Sequence, residues 1–256
     1  MRRVRIALLH LAPRVGDLEY NRQLVETALT TAAGLGAAWI VTPELWLCGY
    51  QFSTCIGTAW IASQPDAWMR RLCQMAARLR VTVFLSHPEQ DRHTAKLYNT
   101  VFVIAANGTI VGTHRKIHIV PIAEGWSSPG DRVVPVRVDG VNVGILICAD
   151  AYTPPLARRL QAQGAQLLVS SAAWGPWPHG PNGAWEQRTR ETGLPLFVCN
   201  RTGEDQTLSF MDAESVVIKD GQRLVSFQAS RAAIVLVDWA LETQELIGEE
   251  AQIVYV

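Results

Sequence analysis

Three residues of complementary chemistry stand where short apolar runs end. Cys148 closes Val143-Gly144-Ile145-Leu146-Ile147, Glu44 follows Trp39-Ile40-Val41-Thr42-Pro43, and Lys116 lies in His114-Arg115-Lys116-Ile117-His118, just after the run Ile110–His114. In open α/β sheets, ligands gather beyond the carboxyl ends of strands. A cysteine is a good nucleophile as a thiolate, but a free thiol is mostly protonated at neutral pH and needs a base within hydrogen-bond reach. Glu44, partly buried beside a proline-fixed turn, suits that task, because burial raises a carboxylate's pKa towards neutrality. Attack on an amide carbonyl creates an oxyanion, which calls for a fixed positive charge and a backbone N–H. Lys116 offers the charge and Ala149 the N–H. The chain has only three lysines (Lys96, Lys116, Lys219) among its 23 Lys and Arg residues. A lysine beside Arg115 therefore carries information: a compact ammonium suits a tight oxyanion pocket better than a planar guanidinium. Each residue also has an ordinary alternative. Cys148 reads as a small hydrophobe, Glu44 as a helix cap or arginine partner, and Lys116 as a solvated loop charge.

The elements that must position these residues follow from hydrophobic period. Val4–Leu9, Trp39–Thr42, Val81–Ser86, Tyr98–Ala105 and Ile110–His114 read as strands, with a hairpin turn at Asn107-Gly108. Helical spacing spans about Asn21–Leu35, stopped by Gly34 and Gly36, and again Asp66–Arg80, whose stripe is Trp68, Met69, Leu72, Met75, Ala76 and Leu79. The second half repeats this grammar. Strands are expected at Val133–Val138, Val141–Ile147, Gln166–Ser171, Leu196–Asn200, Ser215–Lys219 and Arg223–Gln228, with a closing strand at Ala232–Val237. Helices are expected at Pro155–Gln163 and Ala184–Thr192. The pattern implies an α/β core in two layers of sheet with helices outside, as one domain over residues 1–256.

Bulk composition narrows the function classes. Of 256 residues, 48% are hydrophobic and 18% charged, with no net charge at pH 7. That balance gives no electrostatic case for nucleic acid or an anionic membrane, and it leaves little repulsion against self-association. The five cysteines (Cys48, Cys55, Cys73, Cys148, Cys199) show no Cys-x-x-Cys pair, and no histidines form a His-Glu-x-x-His pattern. A disulfide framework and a metal site are not expected. The arginines near the start lead only into Ile6–Leu11, too short for a signal sequence or a membrane span. The expected compartment is the cytoplasm.

The motifs together resemble those of the nitrilase superfamily of carbon–nitrogen hydrolases, over Val4 to about Trp239. Pro43-Glu44-Leu45 with Gly49-Tyr50 resembles the general-base motif, His114–His118 the lysine motif, and Gly144–Asp150 the nucleophile motif. Pro121-Ile122-Ala123-Glu124-Gly125-Trp126 is similar to the stretch carrying the family's second glutamate, especially in aliphatic amidases, which maps that role onto Glu124. Its ordinary alternative is an exposed loop carboxylate. The resemblance implies an αββα sandwich that dimerises, no cofactor and no metal, and a small-molecule amide as substrate, cleaved through a thioester. Tyr50, Trp126, Ala149 and Trp174 are the expected substrate contacts. Trp174 opens the stiff aromatic segment Ala173–Pro181, whose His179 is not expected to be catalytic.

This sequence departs from the family at several positions. Ala149-Asp150 stands where Tyr-Asp or Trp-Glu is common, and the aspartate favours an amidase over a nitrilase. Pro154-Pro155 replaces a Pro-Glu, and Asp212-Ala213-Glu214-Ser215 stands where a Gly-Ser motif is expected. Asp150 is expected to pair with Arg158 or Arg159. Cys48 and Cys55 are expected to be unreactive, and Cys199 to lie in the core. A nitrilase, an N-carbamoyl hydrolase, an acyltransferase and a non-catalytic binding protein remain the competing readings, since one set of residues serves them all.

Overall fold

The central apolar runs become strands buried on both faces, a pattern that parallel sheets covered on two sides produce. The protein is described by a computed structural model covering residues 2–176 and 180–256. In chain order the first sheet collects β1 (Arg3–His10), β2 (Trp39–Val41), β3 (Thr82–Gln90), β4 (Leu97–Ile104) and β5 (Ile110–Arg115). The second collects β6 (Val136–Val138), β7 (Val141–Ile147), β8 (Leu167–Ala172), β9 (Leu196–Asn200), β10 (Glu214–Lys219) and β11 (Gln222–Gln228). β12 (Ala233–Ala240), β13 (Glu245–Leu246) and β14 (Gln252–Tyr255) return to the first sheet.

The strand orders are β13-β12-β1-β2-β3-β4-β5, with β14 also on β12, and β11-β10-β9-β8-β7-β6. Both sheets have the same plan. Three parallel strands (β1-β2-β3 and β7-β8-β9) form the centre, with antiparallel strands on either side. The sheets stack face to face, β1 against β9 and β4 against β7. Helices α1 (Leu18–Gly34) and α3 (Ala67–Leu79) pack together, α1 also against β12, and the short α2 (Phe52–Ile56) precedes α3. After α4 (Pro121–Glu124), helices α5 (Pro154–Ala162) and α6 (Ala184–Thr192) pack together against β7 and β10 of the second sheet. The result is the αββα sandwich.

Local chemistry explains the helix boundaries. Asp17 and Asp66 cap α1 and α3 by accepting from the N–H groups of Tyr20 and Met69. The Trp68, Met69, Leu72 and Ala76 stripe of α3 is buried as its period requires, and Arg80 ends the helix in the left-handed region at φ 57°.

Three expectations about elements are corrected. Only Val136–Val138 of the Val133–Val138 run is a strand, because Pro135 has no N–H to donate to a ladder. β3 continues past Ser86 to Gln90. Ala232–Val237 does not close the fold. β14 adds onto it, pairing Gln252–Tyr255 with Leu236–Ala233. That last strand is only part-buried, so it lacks the apolar signal that marks the central ones.

Gly144 sets how closely α5 approaches β7. A Cβ there would lie 2.6 Å from a Leu168 methyl and 3.2 Å from Leu160 Cβ. Gly144→Ala is expected to lower stability by about 1–3 kcal/mol through overpacking, read as a lower urea midpoint with an unchanged m-value.

Candidate active site

Three of the four key residues follow the end of a strand, and the fourth ends a short helix. Glu44 lies three residues past β2. Its N–H donates to Ala172 O (3.2 Å) of β8, while the next N–H, of Leu45, donates to Ser86 Oγ (3.1 Å) of β3. The loop is thus pinned to both sheets at once. Lys116 follows β5 directly, with its N–H donating to Asn99 O (2.8 Å) of β4. Cys148 follows β7 and opens a 3₁₀ turn, Cys148–Tyr152. Its φ is 47°, an unusual conformation for a residue with a Cβ, costing about 1–3 kcal/mol. Glu124 ends α4, which starts at Pro121.

These four residues converge, and all are buried. Lys116 Nζ lies 2.6 Å from Glu44 Oε1 and 2.6 Å from Glu124 Oε2. Glu44 Oε2 accepts from the Ala173 N–H (3.1 Å), and Glu124 Oε2 from the Val120 N–H (3.1 Å). The buried Cys148 thiol lies close enough to Glu44 for each to shift the other's pKa. One expectation changes here: Glu44 is fully rather than partly buried, while the burial of Glu124 removes the ordinary alternative of an exposed loop carboxylate.

The electrostatics follow from burying one cation among three acidic groups. Burial raises the Glu44 pKa to about 7, against the opposing pull of the Lys116 charge and with a further push from Glu124. Burial alone would neutralise Lys116, but the Glu124 and Glu44 charges hold its pKa well above the ordinary lysine range. Burial and the nearby Glu44 charge push the Cys148 thiol well up, so the resting sulfur is protonated.

The expected substrate contacts fall around this cluster. Tyr50 Oη is 3.5 Å from Glu124 Oε2, and its ring centre is 6.0 Å from Lys116 Nζ. Tyr50 belongs to a separate apolar cluster with Leu45, Phe52, Ala173 and Phe210, against which Trp126 packs. Trp126 sits edge-on to Phe52 at 4.9 Å. Ala149 is buried beside Cys148. Trp174 follows Ala173, with its ring edge-on to Tyr152 (4.7 Å) and Trp185 (5.4 Å). His179 lies outside the described residues. Among the described residues, no group of His, Cys, Asp and Glu could hold a metal, and no helix is long and apolar enough to cross a membrane.

The carbon–nitrogen hydrolase profile matches residues 5–246. The chain belongs to this family. An (R)-stereoselective amidase of Pseudomonas sp. is 32% identical over 235 residues, covering 89% of this chain and 81% of that protein. A nitrilase of Pyrococcus abyssi is 29% identical over 247 residues, covering 96% and 88%. Among solved structures, the amidase of Nesterenkonia sp. AN1 superposes with a TM-score of 0.82 at 26% identity, covering 93% of both chains. A variant of that amidase carries acrylamide added covalently at its active-site cysteine (TM-score 0.83, 25% identity). The protein is an enzyme acting on carbon–nitrogen bonds, with amidases among its relatives.

Within this carbon–nitrogen hydrolase, Asp150 does not pair with Arg158 or Arg159. Its Oδ2 accepts from His114 Nε2 (2.9 Å) and the Ile147 N–H (3.0 Å), and its Oδ1 from the N–H groups of Ile117 (3.0 Å) and His118 (2.8 Å). The carboxylate staples the loop after Lys116 to the turn at Cys148. The arginines lie on α5, which leads away from that turn, and the nearer donors fill every acceptor site. Burial raises the Asp150 pKa, yet the hydrogen bond and charge of His114, with the backbone donors of His118 and Ile147, outweigh it and leave it below the ordinary aspartate value. Its stabilisation is therefore full above that range and is lost only as pH falls through the depressed pKa. His114 stands in the sequence as the first residue of the lysine motif, and nothing local there points to its partner. Asn99 and the Ala173 N–H also escaped sequence reasoning. An asparagine inside an apolar strand was the signal for the first; a backbone donor leaves none.

Asp150→Asn turns an acceptor towards the loop into a donor. It is expected to cost about 2–4 kcal/mol in urea denaturation and to lower kcat/KM, because the lysine loop and the nucleophile turn lose their shared anchor.

Proposed function

We propose that the protein hydrolyses a small linear amide through a thioester on Cys148, with Glu44 as the proton carrier. The observation that carries this reading is the buried contact of one thiol, one carboxylate with a near-neutral pKa and one ammonium. Glu44 takes the proton from Sγ as the S–C bond forms, and the carbonyl electron pair moves onto oxygen. An ammonium has three N–H donors. Lys116 gives one to each glutamate, which leaves the third for the oxyanion. The Ala149 N–H, in the first turn of a 3₁₀ segment, has no acceptor within its own turn and is the second donor. On collapse the C–N bond breaks, and Glu44 returns the proton to the leaving nitrogen. Water then adds to the thioester with Glu44 again as base, and as the C–S bond breaks to release the acid Glu44 returns that proton to Sγ. Glu124 holds Lys116 in place throughout.

The similarity to amidases of Pseudomonas and Nesterenkonia supports an amide substrate. The similarity to the Pyrococcus nitrilase keeps nitrile hydrolysis as the second reading. The dimeric assembly expected from the sequence belongs to this proposal and rests on the family resemblance and the neutral charge balance; the cytoplasmic location expected from the sequence belongs to it as well.

Ammonia release from short aliphatic amides and their matching nitriles tests the reading. Cys148→Ala is expected to lower kcat/KM on the preferred amide by at least about 10³-fold. Activity on nitriles alone would overturn the amide assignment. In the wild type, kcat/KM should fall as pH drops below about 7, where Glu44 becomes protonated and cannot accept the thiol proton. Lys116 stays charged across that range and adds no limb of its own. A flat profile through pH 7 would contradict Glu44 as base.

A further inference from the structure

Asn99 lies near the start of β4, fully buried, and opposite Pro88 of β3 in the ladder. Its single Nδ2 lies 2.8 Å from Glu44 Oε1 and 2.8 Å from Glu124 Oε1. Its main-chain oxygen accepts the Lys116 N–H. One residue thus holds all three charged groups of the site, two by side chain and one by main chain.

The arrangement answers a problem of counting. Two buried carboxylates share one ammonium, so one negative charge has no counter-charge. Carboxyl groups placed this closely tend to hold a proton between them, and Glu44 would then be tied to Glu124 rather than to the thiol. A neutral amide with two N–H hydrogens on one nitrogen meets both carboxylates without adding charge. It occupies Oε1 of each. Glu44 Oε1 then has two donors, Lys116 and Asn99, whereas Oε2 has one, the Ala173 N–H. The less occupied oxygen is the more basic.

We propose that Asn99 is a positioning residue that separates Glu44 from Glu124 and reserves Oε2 of Glu44 for the thiol proton. Aspartate at this position would add a third acid, and leucine would leave both Oε1 atoms short of a donor. The inference rests on Glu44 being the base. The ionisable groups facing Glu44 are Lys116 after β5, Glu124 of α4, Cys148 after β7 and, more weakly, Tyr50 and Cys48.

The test is the pH dependence of Cys148 alkylation by chloroacetamide, followed by intact mass, in wild type, Asn99→Leu and Asn99→Ser. Removing donors from an ionised carboxylate raises its pKa, so the acid limb should move up by about one pH unit in Asn99→Leu. The shift should be smaller in Asn99→Ser, which keeps one donor. A merely structural role would lower the rate or the melting temperature and leave the limb in place; that result would overturn the proposal. A wild type with no limb near pH 7 would instead remove Glu44 as base, and this inference with it. Should the variants fail to fold, the wild type still decides. The Asn99 side-chain amide protons, followed by NMR, should be strongly deshielded and titrate with the midpoint of the kinetic limb. Ordinary, pH-independent shifts would overturn the assignment.

Discussion

The rest of the site depends on one ammonium held between two carboxylates, all three fully buried. A lone buried lysine would give up its proton, and a lone buried glutamate would keep one. Lys116 at 2.6 Å from Glu44 and from Glu124 cancels most of both penalties, but it cannot cancel two negative charges with one positive. The remainder appears as the Glu44 pKa of about 7. A carboxylate so tuned is poised to take and return a proton at neutral pH. Ion pairs of this kind contribute little to stability relative to an apolar core; their value here is chemical.

Such a cluster needs rigid support, and the sandwich provides it from two directions. The Glu44 loop is bonded to Ala172 of one sheet and Ser86 of the other. Asp150 ties the exit of β5 to the exit of β7 through four donors. Each tie crosses from one sheet to the other, so the spacing between Lys116, Glu44 and Cys148 is set by the packing distance of the two layers. The positive φ of Cys148 is held by this same stapled turn.

Much of this was legible before any coordinates. The central strands announce themselves because burial on both faces leaves unbroken apolar runs, and Glu44, Lys116 and Cys148 stand out as polar residues at the ends of such runs. Glu124 was reached through resemblance alone, since Ala123-Glu124-Gly125 carries no burial signal. What sequence could not give was partnership. Asp150 finds His114, thirty-six positions earlier, because β5 and β7 end side by side across the two layers, a relation no local pattern encodes. Asn99 was overlooked for the same reason: its polarity in β4 was visible, but the two acids it meets come from separate loops. β14 was missed because a half-exposed edge strand has little apolar period to read.

The most direct test of the central claim is intact-protein mass spectrometry after rapid acid quench of the wild type turning over its preferred amide, with peptide mapping of any adduct. A covalent acyl group on Cys148, heavier than the free protein by the substrate less ammonia and absent from Cys148→Ala, is the predicted result. Steady ammonia release with no adduct at any quench time, or an adduct that persists in Cys148→Ala, would contradict the account.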